Sequence, residues 1–257
     1  LEAALEMYLA AGNDLQAVEA TTPCFDLDKP WQILSANKWW AARQCSELTT
    51  NELAEGAEIH KSAHVDGYVR LGSGSKIGRN VIVRGNLIAG ENTVLDAGAI
   101  INGNAVIGDD CVVANACFVE DGSVIGDECV VNHAAELDGV IFKGVYLYHY
   151  MEIYGVVGER SDIGAATVCG SLRFDDGFTM HKTRGRRELP REFSNATFIG
   201  DYCRTGVNVT ILPGRKIGPY SIVGPGVLLD RDVPPRTGVR VSQDLDVFTW
   251  GPERYGW

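Results

Sequence analysis

Branched aliphatic side chains recur every six residues from Ile59, through fourteen consecutive hexads without a slip. The first position of each hexad reads Ile59, Val65, Leu71, Ile77, Val83, Ala89, Leu95, Ile101, Ile107, Val113, Val119, Ile125, Val131 and Leu137. Four residues further on sits a mostly small side chain, as at Ala63, Ser75, Thr93, Ala105, Cys111, Cys117, Ser123, Cys129 and Ala135. A half-buried strand alternates with period two and an amphipathic helix with period 3.6, so neither produces this pattern. A chain that turns a corner every six residues does, and the structure that does so is a parallel β-helix of stacked coils. The period resumes at Ile199, Thr205, Ile211, Ile217, Val223 and Leu229, and a weaker set, Val145, Met151, Val157, Ile163 and Cys169, runs offset by two residues. With three hexads to a coil, roughly eight coils at ~4.8 Å each make a column about 40 Å tall. The period leaves the hand of the coil open.

The hexads divide the chain into three parts: residues 1–56, a repeat region over 57–238 with an inserted loop at 171–198, and a tail at 239–257. Residues 1–11 read as the end of an amphipathic helix, and Leu15 to Ala20 as a short strand. The run CFDLDKPWQILSANKWW reads as a strand entering a helix, with Asp28 near its start, Pro30 in its first turn and Trp31, Leu34, Trp39 and Trp40 as anchors. The aromatic tail WGPERYGW is expected to fold back onto the prism or a neighbouring subunit as a packing clamp, with an aromatic lid over a ligand as the alternative.

Composition narrows the function. No stretch approaches the ~18 apolar residues of a membrane span and no signal peptide opens the chain, so a cytoplasmic protein with no membrane partner is expected. Seven cysteines, three of them at the small inward position, read as core filler in a reducing compartment. A net charge of −11 argues against a nucleic-acid partner, and an anionic substrate then needs a local basic patch. The five histidines are too scattered along the chain for a three-histidine zinc site, so no metal is expected.

Two segments carry a resemblance. FDLDKPWQILSAN (residues 25–37) resembles the closing strand and helix of sugar-1-phosphate nucleotidylyltransferase domains. GAATVCGSLRFDD (164–176), followed by IGDYCRTGVNVTILPGRKIG (199–218), resembles the carboxy-terminal β-helix of bifunctional UDP-N-acetylglucosamine pyrophosphorylase/glucosamine-1-phosphate N-acetyltransferases of the archaeal type. The resemblance implies an all-β, left-handed β-helix preceded by a short α/β segment, a homotrimer, and acetyl-CoA-dependent chemistry in clefts between subunits. The family's nucleotide loop would precede Leu1, so nucleotidylyl transfer is not expected of this chain.

The resemblance also assigns residues. His149, in the break YLYHYMEIYG, stands at the family's base, where a histidine in an aromatic surface patch is the plainer alternative. Tyr154 or Tyr150 takes the tyrosine role, although a residue-by-residue count puts Glu152 there. Ala165 would offer a backbone N–H to the thioester oxygen. Asp162 and Ser171 replace two sugar-contacting asparagines, and Arg173 follows in the same acceptor segment. Clustered guanidinium groups grip phosphate, and the insertion supplies Lys182, Arg184, Arg186 and Arg187 for a sugar phosphate. Arg191 begins a run that departs from the family's second basic motif. Coenzyme A would lie along late coils near Arg204, Thr205, Arg215, Lys216, Gly224 and Arg231. Against the acyltransferase stands a second reading, a non-catalytic trimerisation and regulatory module whose acetyl site is eroded at Glu152, Asp162 and Ser171.

Overall fold

The computed structural model describes residues 1–254 of the chain. They form a left-handed parallel β-helix preceded by two helices, α1 (Glu2–Ala10) and α2 (Pro30–Ser46). Short strands lie on three faces, and each pairs in parallel with the strand one coil later. On the first face Ile77 pairs with Leu95, Leu95 with Val113 and Val113 with Val131. The second face carries Val83, Ile101, Val119 and Leu137 in the same way, and the third Leu71, Ala89, Ile107 and Ile125. A regular coil is therefore 18 residues, the separation that Asn86 N also spans to reach Asn104 Oδ1. Ten strands stack on the first face, a taller column than the hexads alone imply.

The inward positions explain the period. From Leu71 to Leu137 the first residue of every hexad is at most 2% exposed. Burying each of the Val, Leu and Ile side chains among them stabilises the coil by about 1.5–3 kcal/mol. The small position has a second task, because each corner leaves a carbonyl that must be paired inside the prism. Ser75 Oγ donates to Gly90 O at 2.6 Å and accepts from Thr93 N at 2.8 Å. Thr93 Oγ1 repeats this with Gly108 O and Cys111 N, and Cys111 Sγ follows with Gly126 O. Ser161, Cys203 and Ser221 resume the ladder downstream. A short side chain ending in a donor is what fits there. The buried cysteines serve as such filler, and burial pushes the Cys117 thiol up to about 12.

The period breaks at one corner. Strand Glu136–Ile141 is six residues long and runs straight from the second face onto the third. Its first half keeps the 18-residue pairing, Phe118 with Glu136, but its second half pairs Val124 with Val140. Two residues have been lost from the corner, so Val131 pairs with Leu147, 16 residues on, instead of with residue 149. Strand Glu152–Val157 repeats the device one 16-residue coil later. Gly139 (φ 150°) and Gly155 (φ 139°) permit the straight crossing. A Cβ on Gly139 would collide with Gly155 O, and one on Gly155 with Thr197 O. At the same corner of the next coil the chain leaves the prism, and Val157 finds its third-face partner only at Ile199.

Helix α2 covers this stretch of the third face. Lys29 N donates to Gln32 Oε1 at 2.8 Å, closing the first turn, and Pro30 occupies the position where a missing N–H is harmless. Trp31 and Leu34 pack with Val140, Val156, Ala196 and Phe198. Further along, Cys45 Sγ donates to Asn86 O and Ala105 O, and Asn86 Nδ2 returns a bond to Cys45 O at 2.7 Å.

The leading segment departs from expectation in part. Neither Leu15 to Ala20 nor the residues just before Lys29 form a strand, because no neighbouring strand edge meets them. Trp31 and Leu34 anchor α2 as expected, whereas Trp40 is 55% exposed and Trp39 is only half-buried, against Phe25 at 5.8 Å. Helix α1 buries none of its residues. In the tail, Val241, Leu245, Val247 and Phe248 are exposed, and Tyr255, Gly256 and Trp257 of the expected clamp lie outside the described residues.

Candidate functional site

A ridge of tight corners separates the first face from the second, and His149 stands on it. The corners stack by backbone hydrogen bonds: Ala134 N to Asn115 O, Tyr150 N to His133 O, Ala166 N to His149 O and Asn208 N to Ala165 O. Each needs a residue in the left-handed region, here His133 (φ 53°), His149 (φ 77°) and Ala166 (φ 57°). For non-glycine residues that conformation costs on the order of 1 kcal/mol, which the stacked coils absorb. His149 is thus held between His133 on one coil and the Gly164–Ala165–Ala166 turn on the next. The two candidates His149 and Ala165 are brought together by stacking.

The imidazoles of His133 and His149 lie edge to face, with centroids 4.6 Å apart and the two Nδ1 atoms 2.5 Å apart. Tyr148 flanks His149 at 4.2 Å, and Tyr150 lies 5.5 Å from His133. His133 did not emerge from the sequence as a site residue. Its signal was present: 133 and 149 differ by the length of one short coil.

The second face carries an open groove of about 410 Å³ between this ridge and the inserted segment. Glu152 and Tyr154, just after His149 in the chain, form part of its floor with Glu120, Glu136 and Asp138. Ser171, Phe178, Phe193 and Asn195 supply the wall. Burial, then the neighbouring Glu152 and Glu120, raises the carboxyl pKa of Glu136, and burial does the same for Asp138. Burial also raises that of the Tyr154 phenol, with help from Asp138. The floor is acidic and suits an ammonium or hydroxyl group better than a phosphate.

The other candidates lie elsewhere. Lys182, Arg184, Arg186 and Arg187 sit on an exposed antiparallel hairpin, with Lys182 directly across from Arg187. Like charges in register repel, so the hairpin is open to an anion. Its base is tied to the third face, away from His149. There His181 is buried between Trp31 (5.0 Å) and Phe198 (5.7 Å) and donates through Nε2 to Ser194 O at 2.7 Å. Burial lowers the pKa of its imidazole, which favours the neutral form. Lys216 Nζ pairs with Asp232 at 3.0 Å and donates to Lys182 O, so it braces the hairpin. Arg173 is engaged by Asp175, whose carboxyl the guanidinium holds well below the usual range. Asp162 and Arg204 face each other on the first face at 3.5 Å. Thr205 points inward, its hydroxyl bonded to Gly164 N and Thr167 Oγ1. Gly224 lies under Val239 and Arg240. Arg231 is exposed beside Asp230 on the rim of a late-coil groove of about 570 Å³. Among the described residues no cluster of His, Cys, Asp or Glu could hold a metal ion, and no helix is long and apolar enough to cross a membrane.

Comparison with known proteins follows this geography. Residues 50–142 match the family model described as the GMPPB C-terminal domain, and residues 196–231 match the bacterial transferase hexapeptide (six repeats). The chain is 38% identical over 97 residues to the bifunctional sugar-1-phosphate nucleotidylyltransferase/acetyltransferase of Sulfurisphaera tokodaii, covering 37% of this chain and 24% of that protein. It is 29% identical over 115 residues to the bifunctional protein GlmU of Methanococcus maripaludis, covering 44% of this chain and 28% of that one. The match therefore spans about a quarter of the length of these relatives. The UDP-N-acetylglucosamine acyltransferase of Francisella novicida superposes over 75% of this chain and 66% of its own, with 19% identity and a TM-score of 0.33, too loose to carry an argument.

Proposed function

We propose that this relative of the bifunctional sugar-1-phosphate nucleotidylyltransferase/acetyltransferases transfers an acetyl group from acetyl-CoA to the amine of an amino-sugar phosphate resembling glucosamine 1-phosphate. The observation that carries the reading is His149, fixed on a strained corner beside an acidic groove, with the Ala165 turn stacked on it. His149 serves as general base. As the amine nitrogen bonds to the thioester carbon, its proton passes to the imidazole, and the departing thiolate receives that proton when the carbon–sulfur bond breaks. The Ala165 N–H faces the charge that builds on the thioester oxygen.

Within one chain the basic hairpin and His149 stand on different sides of the second face. In this reading a neighbouring copy contributes the phosphate clamp, and the assembly is a homotrimer with sites between protomers. Lys182, Arg184, Arg186 and Arg187 hold the sugar phosphate, and Glu152, Tyr154 and Ser171 line the sugar. Coenzyme A fits the late coils only in part: Arg231 is exposed and paired with Asp230, Arg215 donates to Pro213 O and Asp230 O, Lys216 is occupied at the hairpin and Thr205 faces the core. A cytoplasmic setting agrees with these substrates.

A second reading has an observation of its own. No cation lines the groove next to His149, and Glu152 occupies the position of the expected tyrosine, which favours a structural or regulatory module. Thiol release from acetyl-CoA separates the two when glucosamine 1-phosphate and other amino sugars are offered to wild type and His149→Ala. Transfer is expected in wild type alone, with a loss of about 10³-fold in the variant; equal background rates in both would leave only the module.

A further inference from the structure

We propose that His133 is a positioning residue for this transfer, holding His149 as its Nδ1–H tautomer so that Nε2 keeps a free lone pair for the acceptor amine. The inference rests on the acyl-transfer reading and adds to it a residue that neither the hexads nor the resemblance brought forward. Two imidazole nitrogens 2.5 Å apart form a hydrogen bond only if one carries a proton and the other does not. With His149 as donor, its Nδ1 is protonated and its Nε2 is bare, as a base requires. With His149 as acceptor, Nε2 holds the proton and cannot accept another.

Among the described residues no other hydrogen bond to either ring opposes His149 as the donor. Among the described residues Nε2 of His149 has no hydrogen-bond partner, and Nδ1 has His133. Glu136 and Glu152 line the groove, and neither is bonded to either ring. Tyr148 and Tyr150 contact the rings through their faces and edges, which sets orientation but not protonation. An orienting partner on the far nitrogen is the arrangement that histidine bases generally need. A neutral imidazole supplies it here. When Nε2 takes the amine proton, the Nδ1–H bond to His133 persists, and the same proton then leaves from Nε2 to the thiolate.

The shortened coil creates the pair. In an 18-residue coil position 133 would lie beneath position 151, whereas the two residues lost at the Gly139 corner bring 149 over it. The irregularity that blurs the sequence period is thus what juxtaposes the two rings.

His133→Phe removes the acceptor nitrogen and keeps a ring between Tyr148 and Tyr150. A bulky aromatic is tolerated at such a corner, since Tyr202 and Tyr220 adopt φ of 55° and 61° at others. His133→Asn keeps an acceptor at the δ position. Nitrogen-15 correlation spectra of the histidine-labelled chain report the His149 tautomer without turnover. The expected result is Nδ1–H in wild type and His133→Asn, and Nε2–H in His133→Phe. In assays kcat is expected to fall about 10–100-fold in His133→Phe with KM for acetyl-CoA unchanged, and to recover to within about threefold of wild type in His133→Asn. An Nε2–H tautomer of His149 in wild type, or equal kcat in wild type and His133→Phe, overturns the proposal. Nδ1–H in wild type and Nε2–H in His133→Phe, with no transfer by wild type, supports the pairing and counts against the acyl-transfer reading instead.

Discussion

The coils from Leu71 to Leu137 and those from Glu136 to Ile199 share one core and differ in their corners. In both stretches the inward aliphatic positions are buried, and the Ser–Thr–Cys ladder pairs the turn carbonyls. In the first, every coil is 18 residues and the faces carry strands of two or three residues. In the second, coils shrink by two residues, two strands run through glycines from one face to the next, and a hairpin leaves the prism. A stacked core fixes what lies inside each face but not what a corner does, because a corner contributes little to the core. The histidine pair and the basic hairpin both lie where the corners depart from the rule.

That contrast can be broken most severely at Gly155. Gly155→Ala places a methyl group against Thr197 O at a φ alien to alanine, and it is expected to cost more than about 3 kcal/mol in urea denaturation. In the regular coils the sensitive residues are large and inward instead. Leu95→Ala, at a fully buried position, is expected to cost about 3 kcal/mol by the same measurement and to leave the site geometry unchanged. A Gly155→Ala protein as stable as wild type would mean that the straight crossing is not required.

The hairpin offers a smaller effect of another kind. Arg186→Ala combined with Arg187→Ala removes exposed charge without touching the prism, so KM for the sugar phosphate should rise about tenfold while the melting temperature stays within about 2 °C. An unchanged KM would assign the hairpin to contacts other than substrate.

The smallest expected change lies in the groove. Asp138 has a raised pKa in the folded chain, so the native state holds its proton to higher pH than the unfolded state does. By linkage its contribution to stability falls as pH rises through that interval. Asp138→Asn should therefore raise the urea midpoint near neutral pH, and the gain should fade as pH drops to about 4. A gain that persists in acid would point to packing rather than charge.

Much of this was legible in the residues. Fourteen unbroken hexads specify three-sided coils because burial is periodic and each coil repeats its neighbour's environment. The helix at residues 30–46 was readable from Pro30 and the apolar positions Trp31 and Leu34. The strands expected before it were not there, since strand propensity without a partner edge does not make a strand. His149 and Ala165 were readable through resemblance, and their stacking follows from the coil. His133 was hidden because its partner lies 16 residues on, out of phase with the hexads on which the periodic reading rests.

By itself the sequence determined the prism, its core and the place where its rhythm fails, since each of these follows from local hydrophobic spacing. Only the tertiary structure decided how the failure is resolved: which corner loses its two residues, which rings meet as a result, and on which side of the second face the basic hairpin comes to rest. Those outcomes depend on steric fit between coils, as at Gly139 and Gly155, and on the docking of α2 beneath His181. Neither is encoded within any six-residue window.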